Sequence, residues 1–203
     1  MAKITLSKFK SNKPDFTTLF LNAGAHIQHH YLFSSESYKG SNTNPAWYDD
    51  GKLDPLYAVY SIYDQIIGDF LRLDAKLLIA TGLSQIENEK PQFYYRPKNH
   101  KKFLDFLNIN YSNVEERMSR DFLISFNNKK HLDESVKILS SCSIKGKSLF
   151  KLDIRDKDIF CKVAYYDEIK NNEKITIQNK KFKALDYLVH VSIENSIHQT
   201  TGY

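Results

Sequence analysis

The stretch that most constrains this chain begins at Asp54 and Pro55. From there the apolar residues Leu56, Val59, Tyr60, Tyr63, Ile66, Ile67, Phe70 and Leu71 recur at steps of three and four, the spacing that lines one face of a helix. Asp54 supplies a cap acceptor and Pro55 a pre-set first turn. Two short continuous apolar runs flank this helix. Residues 16–21 (FTTLFL) follow Pro14-Asp15 and are bounded by Asn22 and Gly24; residues 76–80 (KLLIA) end at Thr81-Gly82. Unbroken runs of this length predict strands buried on both faces. Strand, loop, helix, strand is the order of a parallel α/β sheet. Between the first run and the helix, residues 34–53 are rich in Ser, Asn, Gly and Asp and predict a long loop, ordered by Trp47 and the tyrosines.

Beyond Ser84 the pattern changes. An aromatic stretch with two prolines (PQFYYRP, 91–97) precedes a short predicted helix at 101–107, a strand at 122–126 and a helix at 132–140. Residues 149–154 and 159–164, joined by a polar turn, predict a hairpin, and 174–182 a second. The expected architecture is α/β: a parallel sheet with helices from residues 1–90, an α+β insertion or cap rich in antiparallel strands at 91–183, and a return to the α/β core at 184–203. A chain of 203 residues is long enough for one domain with such an insertion.

The net charge of +5 comes from 29 basic and 24 acidic residues interleaved along the chain. Local basic concentrations, in the first thirteen residues, at 96–102 and at 174–183, read as solvated lysine-rich surface, with steering of phosphate as the other reading. Charge alone is the whole case for a nucleic-acid partner, so none is assigned. Cys142 and Cys161 lack CxxC spacing and fit two structural thiols in a reducing compartment. No signal peptide or membrane-length apolar run is present, so the expectation is a soluble cytoplasmic protein without a membrane partner.

Chemistry concentrates in AHIQHHY, residues 25–31, placed at the end of the first predicted strand. Imidazole is the common nitrogen ligand of metals, and ligands bind at strand ends in α/β sheets. Histidines that are packed, or hydrogen-bonded to the following loop, are the other reading. If the segment is helical, His26 and His30 fall on one face.

The order of pieces around these histidines resembles the alkaline phosphatase superfamily, most closely its type I phosphodiesterase and nucleotide pyrophosphatase branch. The pieces are Pro14-Asp15, the apolar run, His29, the helix with Asp64-Gln-Ile-Ile-Gly68, the run KLLIATGLSQ, and His198-Gln-Thr-Thr-Gly202 near the carboxyl end. The resemblance covers residues 15–85 and, thinly, the last dozen. It implies that His29 and His198 share one divalent metal, zinc first, with His26 and His30 as further candidates. It also implies phosphoric ester hydrolysis by metal-polarised phosphate and a metal-activated hydroxyl. The match has gaps: Ala25 stands where the family has a carboxylate, and Thr81-Gly82-Leu83-Ser84 where it has Ser-Asp-His-Gly.

The family's nucleophile lies on an earlier strand than any before Pro14, so no catalytic residue is assigned here, and this isolated chain is expected to be incomplete or inactive. A small phosphate ester is the expected ligand. Phe93, Tyr94, Tyr95, Arg96 and Lys98 fall in the variable insertion where the family selects substrate, with Tyr95 and Arg96 as candidate substrate contacts and ordinary packing as the other reading. The alternative function is a non-catalytic binding or accessory module with a degenerate metal site, recognising a phosphorylated or sugar ligand.

Overall fold

A computed structural model describes residues 1–201, which divide into two compact units: Met1–Pro91 with the return segment from Ile193, and Gln92–Ser192. The chain is mixed α and β, with antiparallel sheets. No helix among the described residues is long and apolar enough to cross a membrane.

Unit 1 contains α1 (Ala2–Asn12), α2 (Ala23–Tyr31), α3 (Pro55–Leu71) and the first half of the long strand β1 (Ser84–Pro97). α3 starts where the sequence places it: the Asp54 carboxylate accepts the Tyr57 N–H at 2.9 Å and Pro55 occupies the first turn. Leu56 and Val59 on this helix are buried. α2 packs on α3 at Gly24, whose N–H donates to the Tyr63 hydroxyl at 2.7 Å. A Cβ at position 24 would lie 3.0 Å from the Tyr63 ring, so the approach favours glycine.

Three expectations for this unit are corrected. Residues 16–21 and 76–80 form no strand, and no parallel pair exists among the described residues. Phe16, Phe20 and Leu78 are 83%, 84% and 87% exposed. Apolar composition is a local property, whereas a strand buried on both faces needs paired neighbours, which these runs lack. The third correction concerns AHIQHHY, which is not a strand end: it is the body of α2.

Unit 2 is built from α4 (His100–Phe106), β2 (Asn113–Glu116), β3 (Asp121–Ser125), α5 (Lys129–Ser141), β4 (Ser143–Ile144), β5 (Lys147–Ser148), β6 (Phe150–Arg155), β7 (Asp158–Val163), β8 (Lys174–Ile177), β9 (Lys180–Lys183), α6 (Ala184–Tyr187) and the first part of β10 (Leu188–Gln199). One sheet runs β2-β3-β7-β6, another β5-β4-β8-β9. Asn99 and Asn128 cap α4 and α5 by accepting the N–H groups of Lys102 and His131. On β3 and β7, Phe122 faces Cys161 and Ile124 faces Ile159, and all four are fully buried. This alternation gives the β2-β3-β7-β6 sheet one apolar face. Two-residue turns close the smaller hairpins through left-handed residues, Lys145-Gly146 and Gln178-Asn179.

The third sheet pairs β1 with β10. Its hydrogen bonds run antiparallel, from Ser84 N–H to the Thr201 carbonyl at one end and from Lys98 N–H to the Tyr187 carbonyl at the other. PQFYYRP, read from sequence as a punctuated aromatic stretch, is the second half of β1. The chain crosses between units within these two strands, after Pro91 and again before Ile193.

Candidate functional site

α2 presents His26, His29 and His30 along one helix, and β10 presents Ser196 and His198 two residues apart, on one side of a strand. Within unit 1 these meet. The His29 Nε2 lies 3.0 Å from the His198 Nε2, although the residues are 169 positions apart. The rings stand edge to face, their centroids 4.6 Å apart.

The other ring nitrogen fixes the protonation pattern. His29 Nδ1 is 2.7 Å from the Ser196 carbonyl oxygen, which can only accept, so Nδ1 carries a proton and donates it. In the neutral ring, Nε2 is then a lone pair aimed at His198. That lone pair accepts a hydrogen bond from His198 Nε2–H, and an ion bridging the two nitrogens would displace this shared proton; the far N–H anchored to a carbonyl is otherwise how metal-binding imidazoles are held. Zinc–nitrogen bonds near 2.0 Å put two nitrogens of a tetrahedral site roughly 3.3 Å apart, so the pair would need to open by a few tenths of an ångström to hold an ion.

Further ligands are not gathered. Among the described residues no group of three or more His, Cys, Asp or Glu side chains is placed to hold a metal ion. His26 is exposed and makes an edge contact with His30, centroids 4.9 Å apart, as their four-residue spacing in a helix demands. His30 turns its Nδ1 to the Ile193 carbonyl, donating at 2.9 Å. Burial holds the His30 imidazole below the usual histidine range, against the effect of that hydrogen bond, and the neighbouring His26 and His29 push it the same way as burial. The carbonyl of Ala25 accepts from the Gln85 side-chain amide at 3.1 Å. Gly202, the end of the His198-Gln-Thr-Thr-Gly202 element, lies outside the described residues.

The proposed substrate contacts lie in unit 2. Tyr95 is 2% exposed and its hydroxyl oxygen accepts the Ile169 N–H at 2.8 Å; that role is packing, and the ring has no surface to offer a ligand. Burial raises its phenol to about 12. Arg96, next along β1, is exposed by strand alternation.

A polar scaffold with no signature in the local sequence surrounds the histidine pair. Asn195, fully buried, exchanges two 2.9 Å amide hydrogen bonds with Asn44, and also accepts the Phe33 N–H at 3.1 Å. Asn44 donates to the Ser34 hydroxyl as well. The Ser196 hydroxyl donates to Gln85 Oε1 at 2.8 Å, and the Asn88 amide donates to the Glu194 carbonyl. These bonds tie the long loop and β1 to β10 beside His198. Nothing in the local sequence marks Asn44, Gln85 or Asn195, because the bonds that tie them across the fold, Asn44 to Asn195 and Gln85 to Ser196, span 151 and 111 residues.

Comparison with family models, with curated proteins and with solved structures finds no match to this chain.

Proposed function

We propose that His29 and His198 are the imidazole half of a divalent-metal site, zinc first, in a protein of the phosphoric ester hydrolase class resembling the phosphodiesterase and nucleotide pyrophosphatase branch of the alkaline phosphatase superfamily. The observation that carries this reading is the 3.0 Å approach of the two Nε2 atoms together with the Ser196 carbonyl that fixes the His29 tautomer. A metal held there would polarise a phosphate oxygen and acidify a bound water. Two imidazoles without a carboxylate are one ligand short of the usual catalytic zinc set, so the isolated chain binds metal weakly and turns over slowly or not at all. The reading includes a reducing compartment: Cys142 and Cys161 are free, and burial pushes the Cys142 thiol up to about 12 and Cys161 well above its usual value.

Calorimetry with zinc tests the site. Micromolar binding that disappears in both His29→Ala and His198→Ala is expected; binding unchanged in both variants overturns it. The absence of a third ligand among the described residues favours, as a second reading, a non-catalytic binding or accessory module with a degenerate metal site that recognises a phosphorylated or sugar ligand. Zinc-dependent hydrolysis of a model diester such as bis(4-nitrophenyl) phosphate separates the two, because only the hydrolase reading predicts any rate above the His29→Ala background.

A further inference from the structure

The basic run 174–183 forms the β8–β9 hairpin of unit 2. Register pairs Lys174 with Lys183 and Thr176 with Lys181, while Ile175 and Ile177 are buried. Alternation therefore puts Lys174, Thr176, Lys181 and Lys183 together on the outward face. Ser143 on β4, opposite Thr176, continues it. Above this face Lys145, at the β4–β5 turn, and Lys170 join Lys174 and Lys181 around an open cleft of about 520 Å³, with Thr176 and Asn172 as neutral donors.

Charge in the cleft is unbalanced. Its one acid, Glu173, is 7% exposed and its Oε1 is taken by Lys145 Nζ at 2.5 Å. Lys170, Lys174 and Lys181 have no carboxylate within ion-pair distance among the described residues. Three ammonium groups around one concavity repel one another, and the one carboxylate in the lining, Glu173, is balanced by Lys145, which leaves the cleft with a net positive charge. An anion does, and a lysine is a point-charge partner for phosphate while hydroxyl and amide donors complete its acceptor oxygens. The cleft is much larger than one phosphate group and has cations spread over two hairpins and a loop, which matches a chain of phosphates better than a single one.

We infer that the lysine cleft of unit 2 binds a polyphosphate anion, either an inorganic polyphosphate or the phosphate chain of a nucleotide. This site shares no residue with the His29–His198 pair and stands without it. Calorimetry of the full chain at low ionic strength with tripolyphosphate, ATP and adenosine tests it. Tripolyphosphate and ATP bind and adenosine does not; equal affinities assign recognition to the phosphates alone, and tighter ATP adds a contact to the nucleoside, both consistent with the site. The variant Lys170→Gln/Lys174→Gln/Lys181→Gln weakens tripolyphosphate binding about tenfold or more, while Lys8→Gln/Lys10→Gln/Lys13→Gln, which removes the same charge from unit 1, changes it by less than roughly twofold. Equal losses in both triple variants, loss in His29→Ala, or no binding to the wild-type chain overturns the assignment. If the cleft variant fails to fold by circular dichroism, Lys181→Glu alone, at an exposed position of β9, must give the loss instead.

Discussion

The two units are held together internally by different means. Unit 2 buries a continuous set of large side chains, among them Phe103, Leu104, Phe122, Ile124, Leu139, Ile144, Leu149 and Ile159, all at most 1% exposed. In unit 1 the buried apolar residues are Phe33, Leu56, Val59 and Ile193, and Phe16, Phe20, Trp47, Leu78 and Ile79 are exposed. Its order rests instead on directional bonds: the Asn44–Asn195 amide pair, Asp54 with its three donors, Gly24 against Tyr63, and His29 and His30 on β10 carbonyls. Apolar burial is tolerant and large in sum, whereas a buried polar network is costly when any member is removed. Unit 1 carries the candidate chemistry on the second kind of support.

The sharpest way to break this contrast is one truncation in each unit. Phe122→Ala should cost unit 2 about 3–5 kcal/mol, while Leu78→Ala, at a side chain 87% exposed, should cost unit 1 almost nothing. Chemical denaturation read by hydrogen exchange in each unit checks both, and a large loss from Leu78→Ala would mean unit 1 has an apolar core after all. Next in size, Asn195→Ala leaves Asn44 and the Phe33 N–H without their partner and should cost about 1–3 kcal/mol, with protection lost first around residues 33–44. A loss confined to the tenths would show that the network is replaced by solvent.

Asp54→Ala should follow, at about 1 kcal/mol. Burial alone would raise the Asp54 carboxyl, but the Tyr57 and Glu36 N–H groups and the Ser35 hydroxyl hold it below its usual value. Its contribution is therefore present above the ordinary carboxylate range and fades as pH falls through the lowered one, a fade that Asp54→Asn should remove.

The smallest effect crosses both units. His30 and His100 are each held below the usual 6.5, chiefly by burial. A histidine whose folded value is lowered gives stability that is complete above 6.5 and declines as the pH drops below it, because the unfolded chain takes up the proton more readily. Melting temperatures of both units should fall between about pH 7 and 5, and His100→Gln should flatten the slope for unit 2 alone.

What could be read in the sequence divides along the same line. α3 announces itself through Asp54-Pro55 and a three- and four-residue apolar step, and the β6–β7 and β8–β9 hairpins through alternation broken by polar turns. These are local signals, and most of unit 2 is made of them. Unit 1 misleads because FTTLFL and KLLIA have the composition of buried strands without the partners that make one. AHIQHHY reads as a strand end only if FTTLFL is a strand; Gly24 against Tyr63 and the four-residue His26–His30 step suit the helix it forms. The pairing of His29 with His198 came from the resemblance alone, since no local pattern encodes a contact across 169 residues. Asn44, Gln85 and Asn195, which hold that contact, left no signal at all.

Whether His29 and His198 act as one ligand pair is read by nitrogen-15 NMR of the imidazole rings during a zinc titration. Before zinc, His29 should be the Nδ1–H tautomer. With zinc, the Nε2 resonances of His29 and His198 should move together at the same stoichiometry while His26 stays in place. Movement of His26 and His30 without His198, or of no ring at all, would contradict the account.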